Sequence, residues 1–265
     1  MSSLSERRID DNVFVWTLGG GSIASSYGSN CGAVIGGDAV LLVDPFIAPA
    51  CARLAERALR ERTPLPVRAI VLTHHHTDHA LGAAYFLASG AEVVAHEACR
   101  ARMAAEHAGL IASRRRQPEI AALFQDAEAY EPSRTFGEEI VFDLGGTEVR
   151  ILHPGHNHTP GDAVVHLPAE SVVFCGDLVS NGYHVNYEDA EMGNLDAGLE
   201  FLRSLGARTY VPGHGAPGGP EILDTQTRYH ETVREAVRRG DDSLIRARFP
   251  EHLLEAVVGS AFGKS

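Results

Sequence analysis

The sequence predicts an α/β fold, a four-layer sandwich in which two sheets pack face to face with helices on their outer sides. Three observations carry this. Short apolar runs punctuated by glycine lead each half of the chain, helical segments trail them, and the strand-first order recurs from about residue 140 with no linker between the halves. The expectation is one domain over residues 1–265, made of two similar halves at roughly 1–139 and 140–265. With 265 residues, 44% of them hydrophobic, the chain is long enough to bury a substantial core.

Between Val13 and Asp44 the runs VFVWTL, GGGSIASSYGSN, CGAVIGG and AVLLVD read as short strands broken by glycines. Residues 49–62 repeat alanine, leucine and arginine at helical spacing, and Pro64 and Pro66 then close the helix ahead of a buried strand, VRAIVLT. A short helix after Leu81, the strand AEVVAH and a long helix over about 97–116 follow, with Arg114, Arg115 and Arg116 on a solvated face. Strands are expected at 140–144, 148–153, 163–167 and 171–175, then a helix near 195–205 with Asn194 as its N-cap. The strand ARTYVP and helices over about 220–239 and onward to 258 complete the chain.

Composition narrows the function. The formal net charge of -12 has the wrong sign for a protein that binds nucleic-acid backbone. Cys31, Cys51, Cys99 and Cys175 show neither a C-x-x-C pair nor a regular spacing, so reduced thiols are expected. Neither a signal-like N-terminus nor a run of about eighteen apolar residues occurs, so a cytoplasmic protein away from membranes is the expectation, with its oligomeric state open. Lys264 is the sole lysine, and between Arg150 and Arg203 there is no arginine. A site built on this chain is therefore expected to discriminate weakly in favour of anionic substrates.

The chemistry is concentrated at strand ends. THHHTDH, residues 73–79, follows the apolar strand and offers four histidines and an aspartate. Imidazole nitrogen and carboxylate oxygen suit zinc, and three histidines on one ion leave a fourth position open. A histidine-rich surface loop is the alternative, but such a tract would not need a buried strand before it. His158 in NHTPGD, Asp177 in VVFCGD and His214 in YVPGHG each stand where a strand gives way to a glycine-containing loop. His156 competes with His158 as a ligand, and His75 is expected to point away from the others.

In this order, THHHTDH, NHTPGD, FCGD and PGHG resemble the ligand motifs of the metallo-β-lactamase-fold hydrolases, over about residues 32–215. The resemblance implies the αββα sandwich and a first metal on His74, His76 and His158. It implies a second on Asp78, His79 and His214, with Asp177 bridging the two or joining the second. Register with the TPGD of the motif favours His158 over His156. Asp44 matches a position that supports the metal site from behind, and otherwise reads as a turn or cap before Pro45. Two Zn2+ are the expected cofactors, and iron or manganese would suit similar donors.

Departures from known branches sharpen the expectation. Cys175 stands two residues before Asp177 and so misses the cysteine-ligand position of one β-lactamase branch. The lysines that β-lactamases and glyoxalase II use for anionic groups are missing from the motif region. The expected function is a dinuclear zinc hydrolase that cleaves a lactone, ester, thioester or β-lactam in a small molecule, with Asp78 orienting the nucleophile. The alternatives are a mononuclear iron persulfide dioxygenase and a glyoxalase II-like thioesterase. Asn181, Tyr183 and His184 are the expected substrate contacts, with Tyr187 nearby in the same loop.

Overall fold

A computed structural model describes residues 4–263; Lys264 lies outside the described residues. Strands β1 (Ser5–Asp10), β2 (Val13–Thr17), β3 (Asn30–Ile35), β4 (Val40–Val43), β5 (Val67–Val71), β6 (Glu92–His96) and β7 (Arg134–Phe136) lie side by side in chain order. β1 to β4 pair antiparallel and β4 to β7 parallel. In the second sheet β8 (Glu139–Asp143), β9 (Glu148–Leu152), β10 (Val164–Leu167) and β11 (Val172–Phe174) form an antiparallel meander. Beyond it, β12 (Ser180–Asn181) leaves the sheet, β13 (Thr209–Val211) returns parallel to β11, and β14 (His214–Gly215) pairs with β12.

Helices cover both outer faces. α1 (Pro49–Arg60), the single turn α2 (Thr77–Ala80) and α3 (Glu97–Arg115) belong to the first half, and α4 (Leu195–Ser204), α5 (Glu221–Arg239) and α6 (Ser243–Arg248) to the second. Pro49 starts α1 where its missing N–H costs nothing, and Cys51, Ala52, Ala55 and Leu59 turn inward at helical spacing. β4 divides its side chains as a strand buried on both faces must: Val40 and Leu42 join the cluster under α1, while Leu41 and Val43 join the layer between the sheets. That inner layer brings Val15, Val34 and Val71 against Ile151, Val165 and Phe174. Gly32 lets the sheets close there, because a Cβ at that position would stand 2.2 Å from the Phe174 ring. Val164, Val173, Leu199 and Leu223 pack the far side of the second sheet. The four layers are those expected.

Several local expectations are corrected. GGGSIASSYGSN forms no strand before its last residue, where β3 begins; residues Ile23–Gly28 make a 3-10 turn in which Ser26 and Tyr27 take left-handed φ of 54° and 52°. β1 and β7 escape a hydrophobicity reading because SERRID is charged and exposed at a sheet edge and RTF is only three residues long. The segment after Leu81 is a 3-10 run, Leu81–Ser89, and the chain beyond Arg239 holds α6 and a 3-10 stretch, Glu255–Gly263, not one continuing helix. Asn194 stands before α4, but its side-chain amide donates 2.9 Å to the carbonyl of His156 and caps nothing. All four cysteines are free and buried. No described helix is long and apolar enough to cross a membrane.

Candidate metal centre

Strand ends deliver the donors. The chain leaves β5 through Thr73, and the turn into α2 presents His74, His76, Asp78 and His79 within six residues. His158 comes from the loop between β9 and β10, Asp177 from the turn after β11, and His214 from β14. Two groups form: His74, His76, His158 and Asp177, and beside them Asp78, His79 and His214, each with its ligand atoms within 4.8 Å of one another. All seven residues inferred from the motifs thus come together, with His158 in the first group. His156 instead directs Nε2 to the carbonyl of Asp189 at 2.8 Å.

Hydrogen bonds from behind fix which nitrogen His74, His79 and His214 present. The Thr73 hydroxyl donates to Asp44 Oδ2 at 2.5 Å and lies 3.0 Å from His74 Nδ1, so Nε2 of His74 faces inward, buried and without a partner. His79 Nδ1 donates to the same Asp44 oxygen at 3.0 Å, and His214 Nδ1 donates to the carbonyl of Tyr27 at 3.1 Å. Asp44, with φ of 51°, is therefore a support of the site and no helix cap. Tyr27 is held in turn by the left-handed turn, and Ser26 and Ser29 both donate to the carbonyl of Asp78, at 3.0 and 2.9 Å. Asp162 gathers the backbone N–H groups of Asn157, His158 and Thr159 at 2.7–3.2 Å and so shapes the loop that carries His158.

The inward atoms sit at metal-sharing distances. His76 Nδ1 and His158 Nε2 are 3.1 Å apart, and His79 Nε2 and His214 Nε2 are 3.3 Å apart. Four nitrogens about 2.0–2.1 Å from a tetrahedral zinc are separated by roughly 3.3 Å, so both pairs fit such an ion. Asp177 stands between the groups: Oδ2 is 3.5 Å from His158 Nε2 and 3.4 Å from His214 Nε2, and Oδ1 is 3.3 Å from His79 Nε2. A Cβ on Gly213 would fall 1.8 Å from that Oδ1, which accounts for the glycine before His214.

The field of the site favours positive charge. Burial opposes the His79 imidazolium, yet the carboxylates of Asp177 and Asp78 outweigh it and hold its pKa well above the usual histidine range. The same contest leaves His214 raised to about 9. Burial and the charge of His79 instead push His74 well below its usual range.

A cavity of about 640 Å³ opens over these groups, and Asp78, Asp177 and His214 form part of its wall. Of the three expected substrate contacts, His184 reaches it. Asn181 and Tyr183 serve the wall from behind: the Asn181 amide donates 2.8 Å to the carbonyl of Ala216, and the Tyr183 hydroxyl donates 3.1 Å to that of Gly20. Tyr187 is buried in a separate core under α5. His75 turns toward Asp189 Oδ2, 3.4 Å from its Nε2, and makes with Asp189 and the outer side of His76 a third cluster of possible donors.

Sequence reasoning missed Asp189 and Arg114. Asp189 accepts from His76 Nε2 at 3.1 Å and is ion-paired to Arg102, which α3 supplies. It lies in YEDAEMGN, a polar loop with no motif around it. Arg114, read as solvated, turns into the cavity, while its neighbour Arg115 ties the carbonyls of Phe124 and Gln125 at 3.0 Å. The absence of arginine near the motifs in sequence therefore does not carry over to space.

Fold and donor set together define a class, a four-layer sandwich with a candidate metal centre at one end of its sheets. The sequence pattern of the metallo-beta-lactamase superfamily matches residues 26–214, and the chain belongs to that family. A metallo-beta-lactamase type 2 of Bacteroides fragilis is 28% identical over 98 residues, which are 35% of this chain and 39% of that relative. Two solved structures share the fold. A metallo-beta-lactamase from Pontibacter korlensis superposes with a TM-score of 0.69 at 22% identity, covering 85% of this chain and 97% of its own. TMB-1 superposes with a TM-score of 0.70 at 18% identity, covering 88% and 100%.

Proposed function

We propose that this protein is a dinuclear zinc hydrolase that cleaves a carbonyl-type bond, in a lactone, ester, thioester or β-lactam, of a small molecule. The observation that carries the reading is the placement of Asp177, with one oxygen within 3.5 Å of a nitrogen from each donor group. Such a residue suits two ions better than one. His74, His76 and His158 would hold the first and Asp78, His79 and His214 the second, with Asp177 shared. Ions held this way would lower the pKa of a coordinated water toward about 7 and polarise a carbonyl oxygen.

The chain's own residues supply orientation. Asp44 and Thr73 lock the tautomers of His79 and His74, so each ring offers Nε2 inward without rearrangement. Asp78, with Oδ2 3.3 Å from His214 Nε2, would orient the attacking group. Neither a serine nor a cysteine nucleophile is required: Cys175 is buried under α4, and burial pushes its thiol pKa well above the usual range.

Elemental analysis of purified protein, followed by a panel of lactones, thioesters, aryl esters and β-lactams on zinc-loaded enzyme, tests the proposal. Two zinc per chain and turnover of at least one class are expected. Saturation at one iron per chain would point to the dioxygenase reading instead.

A further inference from the structure

The cavity holds two arginines, and they are not equivalent. Arg102 is committed: it pairs with Asp189 and, at 2.8 Å, with Glu106. Arg114, in the last turn of α3, has neither a hydrogen-bond acceptor for its side chain nor a carboxylate in salt-bridge range among the described residues. Its Nη1 is closed off from solvent without a partner. The guanidinium is seated by the Phe124 ring, 5.0 Å from its centroid, and lies near Tyr27 and Asp78. Partial burial of an unpaired cation is costly, and a guanidinium fork matches a carboxylate in two parallel hydrogen bonds. Of the acids on the cavity wall, Asp78 acts on it through charge without a hydrogen bond, Glu106 is bonded to Arg102, and Glu255 lies 3.8 Å from Arg246.

We propose that Arg114 is the anion anchor of this site, and that the substrate carries a carboxylate which docks on it while the scissile carbonyl faces Asp78, Asp177 and His214. This rests on the hydrolase reading above for the reaction, though not for the binding. The scissile bond and the anionic group would then lie on the same small molecule, spanning the floor of the cavity from the donor groups to the end of α3. The weak discrimination for anionic substrates expected from the scarcity of lysine would then give way to a preference for them.

The test compares wild type, Arg114→Gln and Arg114→Lys, all zinc-loaded, on benzylpenicillin and its methyl ester, with an aryl ester pair alike except for a terminal carboxylate. Wild type should favour the anionic member of each pair turned over. Arg114→Gln should raise KM for that member thirtyfold or more and leave the neutral one within threefold. Arg114→Lys should recover part of the loss. Calorimetric binding of benzylpenicilloate, which needs no turnover, separates the two readings. Tenfold or greater weakening in Arg114→Gln supports the anchor even if no substrate is hydrolysed. Equal affinities, or no binding by either protein, overturn it, and so does an equal loss on neutral and anionic substrates.

Discussion

Oδ2 of Asp44 lies 3.0 Å from Nδ1 of His79, and the same oxygen takes the hydroxyl of Thr73, which in turn stands against His74. One carboxylate behind the site therefore orients a ring in each donor group. Asp44→Asn keeps the size but places an amide against one of these donors. Metal affinity is expected to fall about 10–100-fold, the usual cost of losing such a support. Competition with a chromophoric chelator measures it, and wild-type affinity in the variant would dismiss the role given to Asp44.

Asp177→Ala separates the two groups. Both groups lose a nearby oxygen, 3.5 Å from His158 and 3.4 Å from His214, but the first retains three histidines whereas the second retains two and Asp78. Dialysed protein is expected to hold about one zinc per chain, the other being lost. Parallel loss of both would mean that Asp177 is no shared ligand.

Gly213→Ala needs no change at any donor. Its new methyl would occupy the place of Asp177 Oδ1, only 1.8 Å away, so the carboxylate must swing or the loop must shift. Reduced zinc content is expected, with destabilisation of about 1–3 kcal/mol typical of overpacking. Melting curves and metal analysis read both, and an unperturbed variant would show that the loop yields freely.

Acid should weaken the fold through histidines outside the donor set. Burial, reinforced by Arg234, lowers His230 to about 3, and burial with the charges of His252 and Arg246 lowers His184 to about 4. Both are neutral in the native state and protonate near 6.5 once unfolded, so the unfolded chain binds more protons below that pH. Their contribution is complete above about 6.5 and drains away as pH falls toward 3–4. Tm should drop between pH 7.5 and 5. His230→Gln, which retains an acceptor for Gln226, should shrink the drop by about 3 °C, roughly what 1 kcal/mol produces at this size. An unchanged drop would remove His230 from the account.

The two-sheet architecture and all seven donors were legible because each rests on a local signal. Apolar runs mark buried strands, and a strand end followed by histidine, aspartate and glycine marks a rim. The αβ boundaries blurred where hydrophobicity carries no information, at the charged edge strand SERRID and at the serine-rich turn. Asp189 and Arg114 were invisible for a different reason. Asp189 meets His76 across 113 residues, Arg114 faces the cavity from the last turn of α3, and their neighbours in sequence resemble any polar loop or helix end. Asn181 and Tyr183 show the converse: closeness in sequence to Asp177 did not place them in the cavity.

Left-handed backbone collects around this site: Ser26, Tyr27, Asp44 and Leu254 have φ of 54°, 52°, 51° and 66°. Each such residue gives up about 1–2 kcal/mol that glycine would largely recover. A campaign for thermostability would therefore find easy gains at these four positions. Yet Ser26 steadies Asp78, Asp44 steers His79, and Tyr27 and Leu254 wall the cavity. Heat resistance won there would be traded against the ability to grip metal and substrate, so stabilising substitutions in this protein belong on its outer helices.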